Sequence, residues 1–477
     1  MNCVSFKQIL ISGVAIALAI SSVPIAQAAP ATLPAQQGGS VSIFLPTAMR
    51  SYPTETIFGV GMNTVNESDG LSKLVDAGIQ WTRTPGVVWS DVEKTEGTYD
   101  WSAASIAALD ANLIAAKQNG LKAILLATGT PVWAQKTKFT AATCGPIAQA
   151  KFGAFAKFMQ QVVTRYSAAP YGVEYFEVWN EPDGPIANSP PGWGCWGDVN
   201  DAYYGGAYFG NMLAVVYPAM KQVNPSIKVL NGGLLMDCNG TDPQCTAEQK
   251  KSSLFFEGML RSSGKASYDI LNFHGYDYFD TIGGVGKYSH PNWNTTNIDG
   301  PVGIAKAKFL RAKMAQYGVS KPLMNSETAL LQLGCQGNSF QNFETTKSYY
   351  MPVTYAAAMA EGFIANVWFD AAGGWECTGI TYPAHPKALV AFKVARQKLA
   401  GSQFIREVPG LPSGMRAYEF SNGGKLVWVI WSLDGTARNV TPALGTPARV
   451  YGTDGRSIAP TATISIGMEP FYLEFGP

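Results

Sequence analysis

Eight short apolar runs recur along the chain, at residues 57–61, 79–83, 121–127, 175–179, 227–230, 270–273, 322–325 and 365–369. Longer segments with helical spacing separate most of them; 103–119, for instance, sets Ile106, Leu109, Leu113 and Ile114 toward one side. Near-continuous apolar strands are those covered on both faces, the condition of a parallel sheet, and parallel neighbours require a crossover. Eight repeats of this alternation predict an α/β fold, a (β/α)8 TIM barrel over residues 56–401. A doubly wound sheet would need a glycine-rich phosphate turn after its first strand, and no GxGxxG leading into a helix occurs.

The pattern changes near residue 402. Short strand-like runs at 425–431, 448–451, 462–466 and 471–475 are divided by turns such as Ser421-Asn422-Gly423-Gly424 and Asp454-Gly455. They predict a small C-terminal antiparallel β-sandwich domain over 402–477. A further strand, Val41 to Leu45, precedes the barrel, and residues 41–55 are expected to join the β-domain.

Lys7, the apolar run from Ile9 to Ile20 and the small-x-small triplet Ala26-Gln27-Ala28 have the form of a secretory signal peptide over 1–28. Residues 29–40 are expected to form a loose leader. The chain is therefore expected to be secreted or periplasmic. No later run of ~20 apolar residues predicts a membrane span. Basic and acidic residues balance at 35 against 34 with no basic stripe, which argues against nucleic acid as a partner. A monomer is the default expectation.

Six cysteines remain after the signal: Cys144, Cys195, Cys238, Cys245, Cys335 and Cys377. An even number in an exported chain predicts disulfides, although many pairings are compatible with the sequence. No CxxC occurs, and His274, His290 and His385 are scattered, so neither a metal nor a cofactor is expected. All six cysteines follow predicted strand ends. That placement favours Cys238–Cys245 locally, Cys144–Cys195 between the loops after strands three and four, and Cys335–Cys377 between those after seven and eight.

Barrel enzymes carry their chemistry at the C-terminal strand ends. Strand four ends in Asn180-Glu181 and is broken at once by Pro182; strand seven ends in Asn325-Ser326-Glu327. Two carboxylates facing one bond are the minimal equipment for glycoside cleavage. Glu177, in the same strand as Glu181, is read as a buried structural carboxylate. Trp133, Tyr276 and Trp368 stand near strand ends where flat rings could stack on sugar faces, whereas Trp179 suits the core. Trp193, Trp196 and Trp375 lie in loops, divided between cleft lining and loop packing.

The motifs WNEP (179–182) and SET (326–328) resemble the acid/base and nucleophile segments of the retaining glycoside hydrolases of clan A. WTRT (81–84), WSDVE (89–93) and GTYDW (97–101) are similar to the second βα unit of several of its families. FEVWNEPD (176–183), NFHGY (272–276) and the trailing β-domain look most like family 39, which includes xylosidases, iduronidases and bacterial hydrolases of biofilm exopolysaccharide. The insert PGWGCWGDVN (191–200) and the cysteine-bearing loops align with no single substrate class.

The resemblance implies Glu181 as acid/base, Glu327 as nucleophile and Asn180 as a partner of the sugar 2-hydroxyl. It implies Arg83 beside Glu327, and His274 and Tyr276 bonding the nucleophile or a sugar hydroxyl. Retention would set the carboxyls ~5 Å apart. The expected activity is double-displacement cleavage of a β-linked polysaccharide or oligosaccharide, endo-acting. The alternatives are an exo-β-glycosidase or transglycosylase using the same pair, or a non-catalytic glycan-binding barrel.

Overall fold

The computed structural model describes residues 56–187, 194–238, 245–334, 340–382 and 386–476. The expected signal peptide, the leader, the 41–55 strand, Trp193, Cys335 and His385 lie outside them.

Each predicted apolar run forms a strand: β1 (Phe58–Val60), β2 (Trp81–Arg83), β3 (Lys122–Thr128), β4 (Tyr175–Asn180), β5 (Lys228–Gly233), β6 (Leu271–Phe279), β7 (Leu323–Leu331) and β8 (Asn366–Trp368). They pair in parallel around the circuit β5-β4-β3-β2-β1-β8-β7-β6. Parallel bridges Leu230↔Ile270 and Leu234↔Phe273 close β5 on β6, so the sheet is a barrel. The crossovers are α1 (Leu71–Ala77), α2 (Ala104–Gln118), α3 (Phe152–Tyr166), α4 (Gly206–Val223), α5 (Ala247–Arg261), α6 (Val302–Gln316), α7 (Phe340–Ala360) and α8 (Pro386–Leu399).

The barrel interior is filled from below. Trp81, Ile124, Leu230, Ile270, Met324 and Val367 form a separate apolar cluster. The Trp81 indole N–H donates to the Thr56 carbonyl at 2.8 Å. Gly59 makes room for that tryptophan, since a Cβ there would lie 2.8 Å from the Cβ of Trp81. Outside, α3 turns Phe155, Phe158, Met159, Val162 and Val163 inward, the i, i+3, i+4, i+7 spacing of an amphipathic helix.

The C-terminal part is antiparallel, as expected. Strands β9 (Gln403–Glu407), β10 (Met415–Asn422), β11 (Lys425–Ser432), β13 (Arg449–Tyr451), β14 (Ser457–Ile458) and β16 (Phe471–Phe475) form one sheet. Its order is β9-β10-β11-β16-β13-β14. Strands β12 (Arg438–Val440) and β15 (Ile464–Ile466) form a second sheet. One face of the larger sheet sends Tyr418, Phe420, Val427, Val429, Trp431 and Tyr472 into the core shared with the barrel. The other packs Ala417, Trp428, Ile430 and Leu473 against Val440, Ile464 and Ile466. Helix α7 touches β9, β10 and β11. Its buried residues run nearly all round, because barrel and sheet cover it from two sides. Residues 53–477 form one compact unit. Among the described residues, no helix is long and apolar enough to cross a membrane.

Candidate active site

Two backbone irregularities aim the candidate carboxylates. Strict alternation would set Glu177, Trp179 and Glu181 on one side of β4. The structure breaks that pattern at Trp179, whose φ is 79°. Arg83 consequently hydrogen-bonds both Glu177 and Asn180, while the Trp179 ring turns outward against Phe155 and Trp196. Glu181 itself has φ 45°. On β7 the register against β6 shifts between Asn325 and Glu327, which sets Glu327 opposite His274. Bulges of this kind redirect side chains beside active sites, and left-handed non-glycine residues cost about 1–3 kcal/mol each.

Beneath the carboxylates lies a buried ionic layer. Glu177 is fully buried. Its Oε2 accepts from Arg83 Nε at 2.6 Å; its Oε1 accepts from the Gly233 amide at 2.9 Å and Asn272 Nδ2 at 3.0 Å. The structural reading of this residue agrees with that geometry. Arg83 also donates to Asn180 Oδ1 at 2.7 Å and to Glu327 Oε1. Burial alone would weaken the arginine's proton, but the charges of Glu177 and Glu327 outweigh it and raise its pKa. With Oδ1 committed to Arg83, the Asn180 amide presents its Nδ2 as donor.

Glu181 and Glu327 meet above this layer. One oxygen of each and a ring nitrogen of His274 all lie within 4.8 Å of one another. The two carboxyls differ in their surroundings. Glu327 accepts from Arg83 and from the Tyr276 hydroxyl. Glu181 faces His274 Nδ1 at 2.8 Å and keeps 13% of its side chain accessible. Burial pushes the Glu181 carboxyl up to about 7, with Asp237 and Glu177 adding to the push and Arg83 and Lys306 opposing it. Burial likewise pushes the His274 imidazole down to about 4, leaving it neutral near pH 7. Its Nε2 lies 3.1 Å from Ser326 Oγ.

The aromatic expectations divide. Tyr276 stands at the site through Glu327. Trp368 requires correction: it is fully buried, donates to the Thr378 carbonyl at 2.9 Å and packs on Tyr350. Trp133 is partly buried against the segment that follows β2. Its indole donates to the Glu93 carbonyl at 3.0 Å, and its ring packs edge-on against Trp89. Two other rings stand beside Tyr276. Phe369 and Trp375 lie 5.6 Å apart, and both pack edge-on on Tyr276, at 6.2 and 5.4 Å. Trp375 remains 46% exposed, so the wall opens to solvent. The strand-eight end pointed to this region, but the neighbour of Trp368 carries the contact. Trp196 is loop packing, edge-on to Trp179.

Two disulfides brace the loops above the strand ends: Cys144–Cys195 and Cys238–Cys245, both as expected. Cys377 is disulfide-bonded as well, and its expected partner Cys335 lies outside the described residues.

Residues 45–206 match the family described as Cellulase (glycosyl hydrolase family 5). No curated protein matches the chain by sequence. Among solved structures, a family 39 glycoside hydrolase from the gut symbiont Bacteroides cellulosilyticus WH2 is similar at TM-score 0.63 and 16% identity. The match covers 89% of this chain and 81% of that one. A GH30 endoxylanase from Clostridium papyrosolvens C71 is similar at 0.57 and 13%, covering 89% and 97%. A GH39 β-xylosidase from Caulobacter crescentus is similar at 0.53 and 15%, again covering 89% and 97%. The chain thus has the fold of the clan A glycoside hydrolases, in agreement with the resemblance drawn from its motifs.

Proposed function

We propose that the chain is a secreted, retaining glycoside hydrolase that cleaves a β-linked glycan by double displacement. The observation that carries this reading is the pair Glu181 and Glu327, with oxygens within 4.8 Å and opposite surroundings. Retaining enzymes hold their carboxyls about 5–5.5 Å apart, whereas inverting ones leave about 6.5–9.5 Å for a water.

Glu181, protonated near neutral pH, gives its proton to the departing glycosidic oxygen. Glu327 attacks the anomeric carbon from the other side, the carbon–oxygen bond breaks, and a glycosyl–enzyme ester forms. Arg83 and Tyr276 hold the nucleophile by charge-assisted hydrogen bonds. Glu181, now ionised, takes a proton from water; the hydroxyl attacks the anomeric carbon and Glu327 leaves. Asn180 Nδ2 is the donor for the sugar 2-hydroxyl. The exposed aromatic wall and long braced loops favour an endo-acting cleft. The exported location is supported by the signal-like N-terminus and the disulfides.

The test is product release from a panel of β-glycans that includes xylan, the polymer type named for the GH30 relative. Wild type should cleave one member with retained anomeric configuration. Glu181→Gln and Glu327→Gln should each lose at least about a hundredfold. Inverted product, or variants as active as wild type, would refute the assignment.

A further inference from the structure

We propose that Lys306, on helix α6 outside the barrel, is a positioning residue for the acid/base carboxyl, which it governs through two clamped backbone carbonyls. The inference rests on Glu181 being that group. Lys306 is 1% exposed, and its ammonium donates to the carbonyls of His274 at 2.8 Å and Leu235 at 2.6 Å. Each contact leads to Glu181 by a separate route. His274 is the residue whose Nδ1 faces Glu181. The Leu235 amide donates to Asp183 Oδ1 at 3.0 Å, and Asp183 follows Glu181 by two residues. The Leu235 backbone is therefore held at its N–H by a carboxyl and at its C=O by an ammonium.

A buried ammonium that served packing alone would be costly, since an apolar side chain could fill the same space. Here it sets a positive charge behind the acid/base, with burial lowering the ammonium's pKa to about 8. Glu181 is faced by Arg83 from β2, Glu177 from its own strand, Asp237 from the loop after β5, His274 and Tyr276 from β6, Glu327 from β7 and Lys306 from α6. Lys306 in turn is faced by Asp237, Asp183, Asp277, Glu181, His274 and His290. Removing its charge leaves a more negative surround and strengthens the hold of Glu181 on its proton.

The decisive experiment titrates Glu181 by carbon-13 NMR of glutamate-labelled protein, with its signal assigned by loss in Glu181→Gln. In Lys306→Met the midpoint should rise by about half a pH unit or more, and in Lys306→Arg it should return. An unchanged midpoint in Lys306→Met overturns the proposal. Coupling is reciprocal, so the Lys306 midpoint should fall in Glu181→Gln, read on lysine-labelled protein. That second measurement decides the matter if Lys306→Met does not fold; no fall overturns the proposal. The alkaline limb of kcat/KM should move with the Glu181 midpoint, whereas a merely structural lysine would lower the rate evenly at every pH. Absence of any glycan cleavage by wild type would refute the proposed function, while the titrations would still decide the coupling.

Discussion

His274 Nδ1 lies 2.8 Å from Glu181 Oε1, and the same imidazole reaches Ser326 Oγ through Nε2 at 3.1 Å. The serine hydroxyl can donate or accept, so the ring can change tautomer as Glu181 gains and loses its proton. When Glu181 is protonated, a neutral ring can accept at Nδ1 and donate from Nε2; when Glu181 is ionised, Nδ1–H donates and Ser326 supplies the other proton. Ser326→Ala removes that freedom. It is expected to lower kcat by roughly tenfold with little change in KM, as seen in steady-state kinetics.

The pH profile should follow Glu181. In the proposed mechanism its acid form is the one that reacts, and burial pushes its pKa up to about 7. Activity measured as kcat/KM is therefore expected to fall as pH rises through about 7. An alkaline limb that survives unchanged in Glu181→Gln would assign that limb elsewhere.

Stability should follow the same group in the same direction. A carboxyl whose pKa is raised from 4.5 to about 7 binds more protons folded than unfolded. Its contribution is fullest below the ordinary carboxylate range and is lost as pH rises through about 7. Glu181→Gln should therefore gain Tm over wild type at pH 8 and show little gain at pH 4. His274, held down to about 4, acts in reverse, costing stability as pH falls from 6.5 toward 4.

Arg83 binds Glu177, Asn180 and Glu327 together. Arg83→Met leaves buried carboxylates unpaired and is expected to cost about 3–5 kcal/mol of stability. Arg83→Lys keeps the charge but loses the fork that serves three partners. It should fold and lose at least ~100-fold in kcat/KM. Full activity in the lysine variant would remove Arg83 from the mechanism.

Trp375 and Trp368 should separate binding from packing. Trp375→Ala, at an exposed wall, is expected to raise KM several-fold and leave Tm nearly unchanged. Trp368→Ala, in the core, should cost about 3–5 kcal/mol in denaturant unfolding. The reverse pattern would restore Trp368 as the sugar platform.

The Cys144–Cys195 bridge closes a separation of 51 residues. The chain-entropy relation assigns such a loop roughly 4 kcal/mol. The double serine variant should lose stability of that order while the intact Cys238–Cys245 bridge remains. A loss below about 1 kcal/mol would show the two loops held by packing alone.

The sequence alone determined the barrel, because eight apolar runs with crossover segments carry their period locally and a parallel sheet is the arrangement that buries both strand faces. It also marked Glu181 and Glu327 as candidates by their place near strand ends; in the structure Glu181 directly follows β4, whereas β7 runs on past Glu327 to Leu331. The tertiary structure decided where side chains point. Left-handed backbone at Trp179 and the register shift before Glu327 break the alternation that sequence reasoning extrapolates. The same dependence buried Trp368 and brought Phe369 to Tyr276 in its place. Lys306 was invisible for a related reason: it lies on a helix rather than at a strand tip, and its two carbonyl partners come from separate elements. Periodicity is a property of neighbours along the chain, whereas burial, aim and charge coupling belong to groups that only folding makes neighbours.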